Sequence, residues 1–311
     1  MILITLSFLR DYERLAVFKE AIDEFAISNL DKDLDCSNSN GDINSDDDKK
    51  LDCSLAYDLG CGSGVLSYLA SDYFDKIISI EQNRSIFKCA NKNLKSFDNI
   101  EAINQNVLDF DFENYPKADL IICEMLDTAL IDEEEVPILN HSKKYLKENG
   151  KIIPQGIINS AEPVFMNIDY LQYEDDEYQP IYEILGKSVI YSEFEFLDDI
   201  DEDFSCIIEF EIDDKYSDKK TDASFEVDDR CSDKTDYFNK SNDKIKVNGI
   251  KLTSFTKLNE NIICGPTPML NPAMLVPFEE IEVNNGDKIR IRLSYVMGGG
   301  VETIKTEVLD V

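Results

Sequence analysis

Residues 55–64 read Leu-Ala-Tyr-Asp-Leu-Gly-Cys-Gly-Ser-Gly. A short apolar run that ends in three alternating glycines predicts a buried strand entering a tight turn, where missing Cβ atoms let the backbone approach a ligand. Working outward, SGVLSYLAS (63–71) has helical character, KIISI (76–80) reads as a second strand and NRSIFKCANKNLK (83–95) as a second helix. Strand patterns follow at IEAIN (100–104) and ADLIICE (118–124), then a helix at 133–147 and a strand at KIIP (151–154). Strands alternating with helices predict an α/β fold with a Rossmann-like, doubly wound parallel sheet. Upstream, Leu15, Phe18, Ile22 and Phe25 stand at helical spacing and predict an amphipathic helix over 9–27. After Pro154 the runs 158–166, 187–196, 204–212, 244–255, 287–297 and 302–311 alternate or are rich in β-branched residues. Asn-Gly at 248–249 and Asn-Asn-Gly-Asp at 284–287 read as turns between antiparallel strands. The expected division is 1–156 for the helix and parallel sheet, and 157–311 for a β-rich domain.

The chain has 311 residues, with 31 Lys and Arg against 64 Asp and Glu, for a net charge of -33. That balance argues against nucleic acid as a partner, since a basic surface supplies most of the affinity for phosphate. It argues equally against an anionic membrane surface, and no apolar run approaches the ~20 residues that span a bilayer. Residues 1–9 lack the basic start and small-residue cleavage site of a signal peptide. Eight cysteines without a C-x-x-C pair, and one histidine, predict no metal site. Cys89 and Cys123, in apolar segments, read as buried free thiols, and a reducing cytoplasm fits best. Segments 31–52 and 213–244, made largely of Asp, Asn, Ser and Lys, are expected to be flexible acidic insertions. The acidity has two readings: general solubility, or steering of a cationic substrate.

The glycine loop gains meaning from its context. Asp58, Gly60, Gly62 and Gly64 follow one strand, and Glu81 ends the next, where an acid can accept hydrogen bonds from ribose hydroxyls. The spacing is G-x-G-x-G rather than the dinucleotide G-x-G-x-x-G. Over roughly 55–154 the chain resembles the class I S-adenosylmethionine (SAM) methyltransferases, which implies SAM as cofactor. A narrower resemblance, to the protein arginine methyltransferases, rests on three further places. Glu124 closes the fourth strand and Glu133 follows nine residues later, matching the family's two guanidinium-gripping glutamates. Phe8-Leu9-Arg10-Asp11-Tyr12-Glu13-Arg14 is similar to the family's N-terminal helix, implying that Arg14 meets the methionyl carboxylate of SAM. SKKYLKENGKIIP (142–154) is similar to the segment leading into the family's β-barrel. The resemblance therefore implies a barrel-like second domain, a protein or peptide substrate with a cationic acceptor, and by analogy a homodimer.

Alternatives stay open at several positions. Glu133 belongs to the run Asp132-Glu133-Glu134-Glu135 and reads equally as a helix-start acid. Asn106 is a candidate beside the adenine, with Asp109 as competitor. His141, mid-helix, reads as a packing residue. The chain departs from the family's Thr-His-Trp loop, because Pro268–Met274 has neither His nor Trp. Cys-Glu-Met-Leu (123–126) replaces the Asn/Asp-Pro-Pro-Tyr of amide and adenine-N6 methylases. Methyl transfer to a protein side chain leads, with an RNA methylase and a catalytically inactive SAM-fold scaffold as alternatives.

Overall fold

In the computed structural model, which describes residues 11–37, 54–174, 180–216, 244–267 and 269–310, the first sheet is wholly parallel. Its strands are β1 (Leu55–Leu59), β2 (Lys76–Ile80), β3 (Ile100–Ile103), β4 (Ala118–Cys123) and β5 (Leu146–Ile153), in the order β3-β2-β1-β4-β5. Every residue of β1 is buried, as are four of the five in β2, because helices cover both faces. Double coverage is why these strands read as continuous apolar runs. The helices are α1 (Tyr12–Ser37), α2 (Val65–Ala70), α3 (Arg84–Leu94) and α4 (Glu135–Ser142). The chain runs outward from β1 to β3, then returns to β4 on the other side of β1. The order reverses between β1 and β4, and a crevice opens at the carboxyl ends of these two strands.

Two antiparallel sheets follow. The larger comprises β6 (Gly156–Met166), β7 (Gln172–Tyr173), β8 (Tyr182–Ile184), β9 (Val189–Glu195), β11 (Ile245–Lys257), β12 (Ile263–Cys264) and β13 (Met274–Val283). The smaller joins β10 (Asp203–Glu211), β14 (Lys288–Val296) and β15 (Lys305–Asp310). One continuous apolar core links both halves, from Phe18 and Ile22 on α1 through Ile121 and Ile153 to Leu252 and Ile291.

Several expectations need correction. Asn248–Gly249 is not a turn but lies inside β11, at a register shift. Asn248 caps strand β6 from there, since its amide donates to the Met166 carbonyl and its Oδ1 accepts from the Met166 N–H. A Cβ on Gly249 would lie 2.5 Å from Met166 Cε, so glycine serves close packing there. The 284–287 turn is present, with the Asp287 N–H donating to the Asn284 carbonyl. Strand β13 is unanticipated, since Pro277 and the exposed Glu279–Glu280 pair break its alternation. The expected helix over 133–147 is α-helical only from Glu135 to Ser142. Helix α1 runs on to Ser37, into the first part of the expected insertion, and 38–52 lies outside the described residues. Likewise Asp214–Tyr216 forms a 3-10 turn, and 217–243 lies outside. Cys123 is a buried free thiol, but Cys89 faces solvent because α3 buries Ala90 and Leu94 instead.

Candidate active site

The β1–α2 loop is built by backbone conformation. Gly60, Gly62 and Gly64 have φ of 70°, 56° and 83°, a left-handed region in which Cβ is costly. A Cβ on Gly60 would strike Met125 Sδ at 2.6 Å, and one on Gly64 would strike Leu94 at 2.6 Å. Around Gly62, by contrast, only the Gly60 carbonyl lies within 4 Å of such an atom. Asp58, almost fully buried, accepts from the Ser67 N–H (2.9 Å) and hydroxyl (2.5 Å), pinning α2 to the strand end. Desolvation raises its pKa to about 6 against these hydrogen bonds.

A cavity of about 320 Å³ opens at the strand ends, within the range of small-molecule sites. Arg14, Gly62, Glu81, Asn106, Glu124 and Glu133 all line it. Asp58, Gly60 and Ser63 reach it too, while Gly64 packs behind the loop. Glu81 accepts from the N–H groups of Gly62 (3.1 Å) and Asn83 (2.6 Å), so the second strand orients the glycine loop. Burial raises its pKa, opposed by those two bonds. Asn106 caps a short turn through the Leu108 N–H (2.8 Å) and donates to Gln82 (3.1 Å); its competitor Asp109 lies on the exposed side of that turn. His141 packs between Phe112 and Tyr145, away from the cavity.

Arg14 and Glu124 meet. The Arg14 side chain is 2% exposed and its Nη1 lies 2.5 Å from Glu124 Oε2. Burial pushes the Glu124 carboxyl up to about 7; Arg14 pulls it down, and Glu133, Asp58 and Asp11 push it further up. Helix α1 is held in place by Asp11, which accepts from the Arg14 N–H at 3.0 Å and from the Thr267 hydroxyl on the antiparallel side.

The acidic run divides. Asp132, Glu133 and Glu134 are exposed, whereas Glu135 turns inward with no exposure. Glu135 lies in the first turn of α4 and accepts from the Met125 N–H at 2.9 Å; burial raises its pKa to about 8. The helix-start position thus falls to Glu135, and Glu133 precedes the helix on the cavity wall. Partial desolvation at the cavity wall also raises the carboxyl of the exposed Glu133, with Asp132 and Glu134 adding to it.

Asp127 was not anticipated. It is buried, and accepts from the N–H groups of Asp132 (2.9 Å) and Glu133 (3.4 Å) and from the Tyr173 hydroxyl (3.4 Å). It closes the loop that carries Glu133, and burial lifts its pKa to about 7. An acid three residues after Glu124 was the available signal, but only the loop geometry shows what it binds. In the place expected for Thr-His-Trp, the Pro272 carbonyl accepts from the Thr128 hydroxyl at 2.6 Å. Among the described residues no group of three His, Cys, Asp or Glu could hold a metal ion, and no helix is long and apolar enough to cross a membrane.

A glycine loop open at Gly62, a strand-end acid and a 3-2-1-4-5 sheet define a SAM-binding class of enzyme. Residues 55–184 match a methyltransferase-domain family. An uncharacterized protein of Methanothermobacter thermautotrophicus is 35% identical over 97% of this chain and 96% of its own. Another from Methanocaldococcus jannaschii is 31% identical over 96% and 94%. The chain belongs to the class I SAM-dependent methyltransferases, in one family with these two archaeal proteins. Shorter matches are a ribosomal protein L11 methyltransferase of Thermosipho africanus (31% identical, 37% of this chain, 42% of that protein) and protein arginine N-methyltransferase 7 of Drosophila ananassae (34%, covering 31% and 15%). The fold is shared with the Trypanosoma brucei PRMT1 enzyme-prozyme heterotetrameric complex with AdoHcy, at a TM-score of 0.64, 14% identity, and 97% and 95% coverage.

Proposed function

We propose that this methyltransferase acts on a nitrogen of a cationic protein side chain, an arginine guanidinium, whose lone pair forms the new N–C bond as the S–C bond of SAM breaks, releasing S-adenosylhomocysteine and a proton. One observation carries the reading: two carboxylates from opposite ends of one loop, Glu124 and Glu133, line the cavity that the glycine loop and Glu81 also line. Bound there, SAM supplies an electrophilic methyl group on a sulfonium. Gly62 would leave room for the cofactor against the loop, Glu81 would accept from its hydroxyls, Asn106 would border its base and Arg14 would meet its carboxylate. Glu124 and Glu133 orient the acceptor; paired charge-assisted hydrogen bonds to a planar cation fix it for in-line attack. Burial of Glu124 strengthens that grip, because charge interactions weaken less in a dry site.

The division at 1–156 and 157–311 assigns cofactor binding to the parallel sheet and acceptor placement to the antiparallel sheets. The named L11 and arginine methyltransferase relatives support a protein substrate. The test is incubation of the protein with methyl-labelled SAM and cell extract, followed by protease or nuclease digestion. Protease-sensitive label is expected. Label in RNA, or no label although SAM binds, contradicts the proposal.

A further inference from the structure

The loop between the two glutamates takes an unusual path. Ala129 and Leu130 have φ of 62° and 63°, a conformation that L-residues adopt rarely and that surrounding structure must enforce. Each residue from 128 to 131 is anchored in the antiparallel half. The Thr128 hydroxyl donates to the Pro272 carbonyl at 2.6 Å and the Ala129 N–H to Ser254 Oγ at 2.8 Å. The Leu130 and Ile131 carbonyls accept from the N–H groups of Gly298 and Gly300, each at 3.0 Å.

The Ser254 anchor has further support behind it. Ser254 on β11 pairs in register with Asn159 on β6, and Asn159 with Ser192 on β9. The Ser254 hydroxyl donates to Asn159 Oδ1 at 2.6 Å, and the Asn159 amide donates to Ser192 Oγ at 3.0 Å. Asn159 and Ser254 have no exposed surface, and Ile157, Ala161 and Leu252 beside them are as fully buried. An apolar row would fill this space without requiring partners. This row instead runs in one direction, each group donating onward, and it leaves a Ser254 lone pair aimed at the Ala129 N–H. That N–H lies in the kinked loop, and once buried it must have an acceptor.

We infer that Ser254, oriented by Asn159, is a positioning residue for the acceptor-binding glutamates: it holds the Ala129 kink and thereby sets where Glu133 stands relative to Glu124. This rests on the function proposed above and adds that the antiparallel sheet places the methyl acceptor through one buried hydroxyl.

Ser254→Thr and Ser254→Val have the same shape and differ by the hydroxyl, so crowding affects both alike. The full chain is compared for hydrogen exchange of peptide 126–134, S-adenosylhomocysteine affinity, and kcat and KM for methyl transfer. Ser254→Val should raise exchange in 126–134 at least tenfold and lower kcat at least tenfold. Exchange in 58–67 and S-adenosylhomocysteine affinity should stay within twofold, and Ser254→Thr, which shares any crowding but keeps the hydroxyl, should show less than a third of the Ser254→Val effects. Equal behaviour of the two variants, or exchange rising across all peptides together, overturns the inference. If wild type binds S-adenosylhomocysteine but transfers no methyl group, the functional proposal fails, and exchange in 126–134 still decides the role of Ser254.

Discussion

On the proposed function Glu124 must be charged to hold a cationic acceptor, yet its surroundings disfavour charge. Burial raises its pKa to about 7, with Arg14 the main opposing influence. Turnover at saturating SAM is therefore expected to rise with pH through about 7 and then level off, while SAM affinity changes less; a pH–kcat profile checks this. A flat profile from pH 5.5 to 8.5 would remove Glu124 from the reacting group. Glu133 is the cleaner site for substitution, because it is exposed and, among the described residues, no salt bridge fixes it. Glu133→Gln should lose a charge-assisted bond worth roughly 1.5–3 kcal/mol, about ten- to a hundredfold in turnover, with the cofactor affinity nearly unchanged. At Gly62 the expectation reverses. Its φ of 56° and its open surroundings mean that Gly62→Val places a side chain against the cofactor. Wild type should gain about 2.7 kcal/mol at SAM a hundredfold above Kd, and the variant should gain almost nothing. Thermal melts with and without SAM distinguish the two.

The strand–loop–helix unit from β4 to α4 shows what sequence patterns reveal and what they do not. Strand β4 and the Glu124–Glu133 spacing were legible because apolar runs and matched motifs are local. The loop between them was not, since its shape comes from groups distant in the chain: Ser254, Pro272, Gly298 and Gly300. Asp127 escaped notice because its partners are the loop's own backbone N–H groups, which no side-chain pattern marks, and the distant Tyr173 hydroxyl. Asp127→Ala should leave those N–H groups poorly satisfied and cost about 1–3 kcal/mol. The denaturation midpoint should fall, and turnover should drop further than the stability loss alone explains. Strand β13 was hidden by Pro277 and adjacent glutamates, and Asn248–Gly249 misled because a turn-forming dipeptide also suits a bulge pressed against Met166.

At the scale of the whole molecule, most acids among the described residues face solvent, but Asp58, Glu81, Asp127 and Glu135 are buried. Six carboxyls around the site are raised by desolvation: Asp58 to about 6, Glu124 and Asp127 to about 7, Glu135 to about 8, and Glu81 and Glu133 in the same direction. A group raised on folding binds its proton more tightly in the native state, so its contribution is fully present below its unfolded value and is lost as pH rises through the folded one. Stability should therefore decline from about pH 5 to pH 8, by roughly 5 °C or more in Tm. Self-repulsion in a chain of net charge -33 acts in the same direction. Activity and stability are expected to move oppositely with pH, which melting and rate profiles in the same buffers would show. The overall architecture was legible from the alternation of elements, and the use of SAM from a glycine loop and one strand-end acid. The proposed acceptor side depends on how two halves of the chain meet, which no single segment records. The most direct measurement follows from that side: label protein with methyl-labelled SAM and this enzyme, hydrolyse it, and separate the amino acids. The account predicts label in methylated arginine, falling at least tenfold with Glu133→Gln. Label in lysine, histidine or a carboxyl ester, or label undiminished by that substitution, would contradict it.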